Sequence, residues 1–333
     1  MGEHDPRFLE SGWVNMAGLL ESPSPFLFAI GGRGTGKTYG AAEWCFQHER
    51  GRFAWIRRRD KEIATMKAGS PFGNVPVYEG CIWKGTKEAT YIKNADGELV
   101  CPVLPWATSG NVTGLDLEYV NVMVFDEFIP KKGAVAIPDE FDIWSALLET
   151  VGRNRELSGR PPVKVLHISN SDSLNSELLI RLELVPVIVR MRSDGVKTWT
   201  SEDGLVTIWD FSGSPVSEAK RDTALYRLIG GTKYAGMALD NDFAFDDFSD
   251  VKRRPIREYN PLFSVGGMVT LYIHKRRDEL YASRHKSGDV PDFQPDAQGR
   301  KELLKLFPYI HEAVEEGVIY ESIECKYLLA KIL

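Results

Sequence analysis

Two stretches of the 333-residue chain carry residue types at spacings that suit phosphoryl chemistry. The first is Gly31-Gly32-Arg33-Gly34-Thr35-Gly36-Lys37-Thr38, which fits the G-x-x-x-x-G-K-[ST] pattern. Glycines let successive backbone N–H groups curl around phosphate oxygens, and a helix that opens at the end of the loop adds its positive dipole end. In that setting Lys37 reaches the β- and γ-phosphates of ATP, and Thr38 ligates Mg²⁺. The second is Asp126-Glu127, which ends the apolar, β-branched run at 119–125. Downstream of a phosphate loop this is the pattern of a Walker B strand. Asp126 then belongs to the Mg²⁺ shell, and Glu127 orients and polarises the attacking water.

Two further residues carry two readings each. Arg153 opens Arg153-Asn154-Arg155 at the end of an amphipathic segment. Basic residues there complement a helix C-terminus, or Arg153 is an arginine finger for a neighbour's γ-phosphate. Asn170 ends the apolar run at 163–170. It is either a γ-phosphate sensor, as found on the strand after Walker B, or a strand-terminal turn former. His167, inside the same run, reads as a packed strand residue.

The elements needed to hold these groups are legible. Residues 26–30 read as a buried strand and 39–46 as a helix, which gives the phosphate loop its strand–loop–helix setting. A second strand at 53–56 ends in Arg57-Arg58-Arg59, with a helix after it at 60–67. Short strands at 81–83, 90–93 and 99–104, with a turn at 94–97, suggest a small β insertion. The run at 184–191 is expected to be the last strand of this domain. Residues 198–230 are expected to form a linker, with a helix at 216–229 ended by Gly230-Gly231. The acidic stretch from Asp240 to Asp250 is broken by Phe243, Phe245 and Phe248 and lacks the Gly-then-Glu spacing of a calcium loop, so a surface loop is expected. The last part looks α+β. It has a hairpin from a strand at 263–273 and another at 278–283, and helices at 300–307, 309–316 and 323–332. Basic clusters at 252–254, 275–277 and 284–286 suit contact with a phosphate backbone.

Composition narrows the setting. The net charge of −6 excludes a wholly basic nucleic-acid binder but not a local basic surface. No apolar run approaches the ~20 residues that span a bilayer. Acidic residues near the start (Glu3, Asp5, Glu10) and the lack of a basic segment before an apolar core speak against a signal peptide. The four cysteines show no C-x-x-C spacing, so free thiols in a reducing cytoplasm are expected.

The chain resembles the DNA-packaging (encapsidation) ATPases of small podophages of the phi twenty-nine-like type. The resemblance rests on the residues from Ile30 to Tyr39, on Val124-Phe125-Asp126-Glu127-Phe128-Ile129, and on Ser145-Ala146-Leu147-Leu148. It also rests on Arg153-Asn154-Arg155-Glu156, Ser169-Asn170, 227–234 and 237–241. The last ~100 residues match only loosely.

The resemblance implies an α/β P-loop NTPase domain of the additional-strand, catalytic-glutamate type over 1–197. A helical linker over 198–230 follows, then a ribonuclease H-like domain over 231–333. It implies ATP and Mg²⁺ as cofactors, with Gly31, Gly32, Arg33, Gly34, Thr35, Gly36, Lys37, Thr38, Asp126 and Asn170 around them. Glu127, Lys37 and a trans-acting Arg153 are the implied catalytic set. The implied protein is a homopentameric ring in the host cytoplasm, attached transiently to the prohead portal vertex, absent from the mature virion and driving double-stranded DNA inward. Some members of the family also dock on a packaging RNA; no membrane is involved. Active two-metal nucleases need clustered carboxylates, the first on their opening strand. The expected strand at 263–273 has none, so a nuclease-dead domain is expected. The competing readings are a helicase-like DNA motor, a nucleotide-gated assembly protein and a terminase that also cuts DNA. For pore contacts with DNA, Lys61, Lys67 and Lys131-Lys132 are the candidates.

Overall fold

The computed structural model describes residues 5–85, 90–109, 116–131, 137–170, 173–240, 249–286 and 288–333. It divides into two compact units, Met1–Phe245 and Asp246–Leu333. No helix among the described residues is long and apolar enough to cross a membrane.

The first unit is built on a nine-stranded sheet. Its strands are β1 (Phe26–Gly31), β2 (Phe53–Arg57), β3 (Ile82–Gly85), β4 (Thr90–Lys93), β5 (Leu99–Pro105), β6 (Val122–Asp126), β7 (Lys164–Asn170), β8 (Thr198–Thr200) and β9 (Val206–Asp210). The order is β3-β4-β5-β2-β6-β7-β1-β9-β8. From β5 to β9 along this order every pairing is parallel. β3, β4 and β8 add antiparallel edges.

Strands covered on both faces need continuous apolar runs. β6 meets that condition with all five residues buried. β7 lies between the strand that feeds the phosphate loop and the strand that ends in Asp126. Register sets Gly31 opposite Asn170, and Asp126 opposite Ile168. The loop, the acids and Asn170 therefore leave the sheet at the same carboxyl edge, where parallel α/β sheets bind ligands.

Helices α1 (Met16–Leu20), α2 (Lys37–His48), α3 (Asp60–Ala68), α4 (Glu140–Gly152), α5 (Glu177–Arg181), α6 (Leu184–Ser193), α7 (Pro215–Lys220), α8 (Ala224–Ile229) and α9 (Lys233–Asp240) complete the unit.

The structure corrects three expectations. The run at 184–191 is helix α6, not a strand. Leu184, Val185, Ile188 and Met191 make one buried helical face. Pro186 falls in the first turn, where its missing N–H has no intrahelical acceptor to lose. The last parallel strand is instead β9, which with β8 comes from residues expected to be linker. The described residues through 240 group with the first unit. Hydrogen-bonded β-branched residues at 206–208 hold this stretch in the sheet. The acidic and aromatic positions at 241–248 lie outside the described residues.

The second unit has a five-stranded sheet of order β13-β10-β11-β12-β14. The strands are β10 (Tyr259–Val265), β11 (Val269–His274), β12 (Leu280–Ser283), β13 (Asp292–Phe293) and β14 (Val318–Tyr320). Helices α10 (Ala297–Leu306), α11 (Ile310–Glu316) and α12 (Ile323–Leu329) accompany them. Here the third correction applies: residues 263–273 are not one strand. Gly266 and Gly267 take φ of 54° and 63°, and Met268 N–H bonds back to Val265 O at 3.0 Å. Two consecutive positive-φ residues make a tight hairpin turn, which glycine adopts without strain.

Packing at the end of β1 leaves no room for a side chain. A Cβ on Gly31 would lie 2.7 Å from Cβ of Phe211, which is fully buried. Gly31→Ala is expected to cost ~1–3 kcal/mol of stability, read by urea denaturation.

Candidate functional site

The phosphate loop closes on its own lysine. Gly34 and Gly36 take φ of 62° and 95°, and Gly36 caps α2, which begins at Lys37. Lys37 is buried. Its Nζ donates to Gly31 O at 2.9 Å and Gly32 O at 2.6 Å. Thr35 Oγ1 donates to Gly32 O at 3.1 Å. The result is a ring of backbone around an ammonium at the open end of a helix, which suits an anion.

Thr38 Oγ1 donates to Asp126 Oδ1 at 3.1 Å. A hydroxyl and a carboxylate brought together beside a phosphate cradle are the hard oxygen donors that Mg²⁺ takes, so these residues fit the ion. A cleft of roughly 300 Å³ lies here, lined among others by Gly36, Lys37, Thr38, Asp126, Glu127 and Asn170. Sequence-distant residues from the loop, the acidic pair and the end of β7 thus share one cavity.

Arg57 organises the acids, and its role was not read from the sequence. It ends β2, the parallel neighbour of β6. Nη1 donates to Asp126 Oδ2 at 2.7 Å, and Nη2 to Glu127 Oε2 at 2.9 Å. Its Nε lies 3.4 Å from Glu62 Oε2. Burial works against the Arg57 charge, but Asp126, Glu127 and Glu62 more than offset it, so its pKa rises. At Asp126, burial pushes the pKa up; the Arg57 charge opposes this and Glu127 adds to it. Glu127 has a φ of 58°, a left-handed conformation that a non-glycine residue holds only when its surroundings enforce it.

The enforcing contacts come from both sides. Phe128 N–H donates to Ile168 O at 3.2 Å. Arg58 Nη1 donates to Phe128 O at 2.6 Å. Arg58 also forms a buried two-pronged pair with Glu140, both bonds 2.8 Å. Trp106 lies against the guanidinium, 5.3 Å from its ring centroid, and its indole N–H donates to Glu140 O at 3.2 Å. The first turn of α4 is thereby tied to the segment that carries Glu127. The sequence signal was the Arg57-Arg58-Arg59 triplet at the end of a buried strand, where charges need partners.

Arg153 ends α4 at a φ of 38°. Its side chain is 45% exposed and reaches Glu118 Oε1 at 2.7 Å. It does not line the cleft of its own chain. Arg155 is buried and structural, donating to Val120 O at 2.7 Å and Asn121 Oδ1 at 2.9 Å. Of the pore candidates, Lys61 and Lys131 line a second cavity of roughly 600 Å³, which Arg59 and Glu127 also line. Lys131 Nζ lies 3.2 Å from Glu127 Oε2. Lys67 sits in the last turn of α3, and Lys132 lies outside the described residues.

His167 is a core residue, as read from the sequence. It is stacked on Phe28 at 4.3 Å, accepts from Trp144 Nε1 at 3.1 Å and donates through Nδ1 to Leu27 O at 3.1 Å. Burial lowers its pKa from 6.5 to about 3, against a smaller opposing effect of the Leu27 bond. The folded protein binds this proton less readily than the unfolded chain. The stability contribution is therefore intact above pH 6.5 and is lost as pH falls toward 3, at ~1.4 kcal/mol per pH unit. His167→Gln should flatten the stability–pH slope by that amount between pH 6 and 4.5, as read by urea titrations at each pH.

The family model described as "Podovirus DNA encapsidation protein (Gp16)" matches residues 10–284. The DNA packaging protein of Bacillus phage PZA is 31% identical over 235 residues, 68% of this chain and 64% of the PZA protein. The match thus spans less than two thirds of that relative's length. Two solved structures share the fold. "The Phi-28 gp11 DNA packaging Motor" has a TM-score of 0.67 at 18% identity, covering 97% of each chain. "The bacteriophage Phi-29 viral genome packaging motor assembly" has a TM-score of 0.61 at 21% identity, covering 96% of this chain and 99% of that one. With more than half of its length matched by the family model, the chain belongs to the podovirus DNA encapsidation (Gp16) family.

Proposed function

We propose that this protein is an ATPase that drives double-stranded viral DNA into an empty phage shell. The observation that carries the reading is the meeting of Thr38 and Asp126 beside the Lys37 cradle, with Glu127 at the rim of the same cleft. The loop N–H groups and Lys37 bind the triphosphate, and Thr38 and Asp126 hold Mg²⁺. When bound, Mg²⁺ neutralises charge developing on the β- and γ-phosphate oxygens. Glu127 orients the attacking water and takes its proton, while Asn170 faces the γ-phosphate from the end of β7. Arg57 holds Glu127 in place and releases it when the carboxylate turns to water.

Arg153 suits a finger offered to a neighbouring subunit. It is exposed at a helix end, outside its own cleft, and its Glu118 partner is a surface one that a phosphate can replace. A ring follows from this role, with five subunits at the portal vertex in the infected cell as the family resemblance implies. DNA contacts in such a motor are sequence-blind, so backbone phosphates are what Lys61 and Lys131 would meet.

The second unit is read as a ribonuclease H-like domain without nuclease activity. β10, β11 and β12 carry no carboxylate. Asp292 on β13 is occupied by Ser264 Oγ at 2.5 Å and Gly267 N–H at 2.8 Å. Linearisation of plasmid in Mg²⁺ or Mn²⁺ would overturn this reading.

The test of the motor is ATP turnover with long double-stranded DNA, with Arg153→Ala protein mixed into wild type at rising fractions. Turnover is expected to rise with DNA and to collapse faster than the variant fraction grows. Turnover indifferent to DNA, falling only in proportion to the variant, contradicts an intersubunit finger in a DNA motor.

A further inference from the structure

The outer side of the phosphate loop is held by a residue that the nucleotide chemistry does not itself require. Lys220 ends α7, and its Nζ donates to Arg33 O at 2.7 Å and Gly34 O at 2.6 Å. A Cβ on Gly34 would lie 2.7 Å from that nitrogen. The missing side chain at Gly34 therefore gives Lys220 its access, besides permitting the φ of 62°.

Two other contacts bring the same segment close to the loop. Phe211 N–H donates to Ile30 O at 2.7 Å. Pro215, which opens α7, would lie 3.0 Å from a Cβ on Gly12, in the stretch that also donates Val14 N–H to Thr35 O at 3.3 Å. α7 and α8 both pack on α9. The helices at 215–240 thus form a small packed group, which Lys220 joins to the loop by charge-assisted hydrogen bonds.

We propose that Lys220 is a positioning residue of the phosphate loop and couples the loop's nucleotide state to helices α7–α9. A peptide unit whose carbonyl accepts from an ammonium has a more strongly polarised N–H at its other end. The carbonyls of Arg33 and Gly34 belong to the peptide units whose N–H groups are those of Gly34 and Thr35. A cation outside the loop therefore strengthens the donors that a phosphate meets. By linkage, a bound phosphate strengthens the hold of the carbonyls on Lys220, and with it the seating of α7. This inference rests on the nucleotide-site reading above.

The test compares wild type, Lys220→Met and Lys220→Arg. ATPγS and inorganic tripolyphosphate affinities are measured by calorimetry, and amide hydrogen exchange is followed at 31–38 and 215–240. Lys220→Met should bind both ligands about tenfold more weakly, and Lys220→Arg should recover most of the loss. In wild type, saturating ATPγS should slow exchange in both segments. In Lys220→Met at saturation it should slow the loop only.

Unchanged affinity with unchanged coupling in Lys220→Met overturns the proposal. So does a wild type in which ATPγS slows the loop but leaves 215–240 untouched, a result that needs no variant to fold. Wild type that binds neither ligand overturns the nucleotide-site reading itself, and this proposal with it.

Discussion

Glu127→Gln is expected to lower ATP turnover ~10²–10⁴-fold, the usual contribution of a positioned general base. Nucleotide affinity should stay close to that of wild type. The amide keeps the size of the carboxylate and still orients a water, but it does not accept the water's proton. Binding falls to other groups: Lys37, the loop N–H groups, Thr38 and Asp126. Arg57 keeps Asp126 at 2.7 Å and Glu62 at 3.4 Å when the Glu127 charge is removed, so the variant should fold. Turnover comes from a single-turnover and a steady-state assay, affinity from calorimetry. A loss shared equally between binding and turnover would place Glu127 in substrate binding, and retained turnover would remove it from the mechanism.

The second large effect lies one strand end away. Glu140→Ala leaves the Arg58 guanidinium buried without its carboxylate. Removing one partner of a buried pair typically costs ~3–5 kcal/mol, because the remaining charge is uncompensated. Among the described residues, Arg58 would retain Phe128 O at 2.6 Å and the Trp106 face. Arg58→Met combined with Glu140→Leu should cost less than Glu140→Ala, since both charges leave together. Urea denaturation of the three variants measures this. Because Arg58 grips the residue after Glu127, the double variant should also lose turnover while keeping much of its stability. That split separates holding the catalytic segment from holding the fold.

The grouping of the candidate site at one sheet edge was legible in the sequence because its residues announce themselves locally. A glycine loop between a buried strand and a helix, and an apolar run ending in two acids, each need only a short window. The place of Asn170 at that edge was legible for the same reason, at the end of a β-branched run. Arg57 and Arg58 were visible as charges but not as partners. Their roles depend on β2 lying beside β6 and on α4 returning to the same edge, which are long-range facts.

The mistaken strand at 184–191 has a different origin. Val185, Val187, Ile188 and Val189 look β-forming, and only the spacing of Leu184, Ile188 and Met191 reveals a helical face. At 198–210 the apolar run is short and its neighbours are polar, so the strand β9 is settled by its pairing with β1 and not by its own composition. In the second unit, Gly266-Gly267 sat inside a run long enough to pass for one strand, although two consecutive glycines mark a turn.

The most direct measurement of the central claim is protection of DNA from nuclease. Purified protein, empty shells of the phage and its double-stranded DNA are incubated with ATP, then treated with DNase. Full-length DNA should survive with wild type and ATP, and should be lost with Glu127→Gln or without ATP. Equal protection by Glu127→Gln, or none with an active wild-type ATPase, would contradict ATP-driven packaging by this chain.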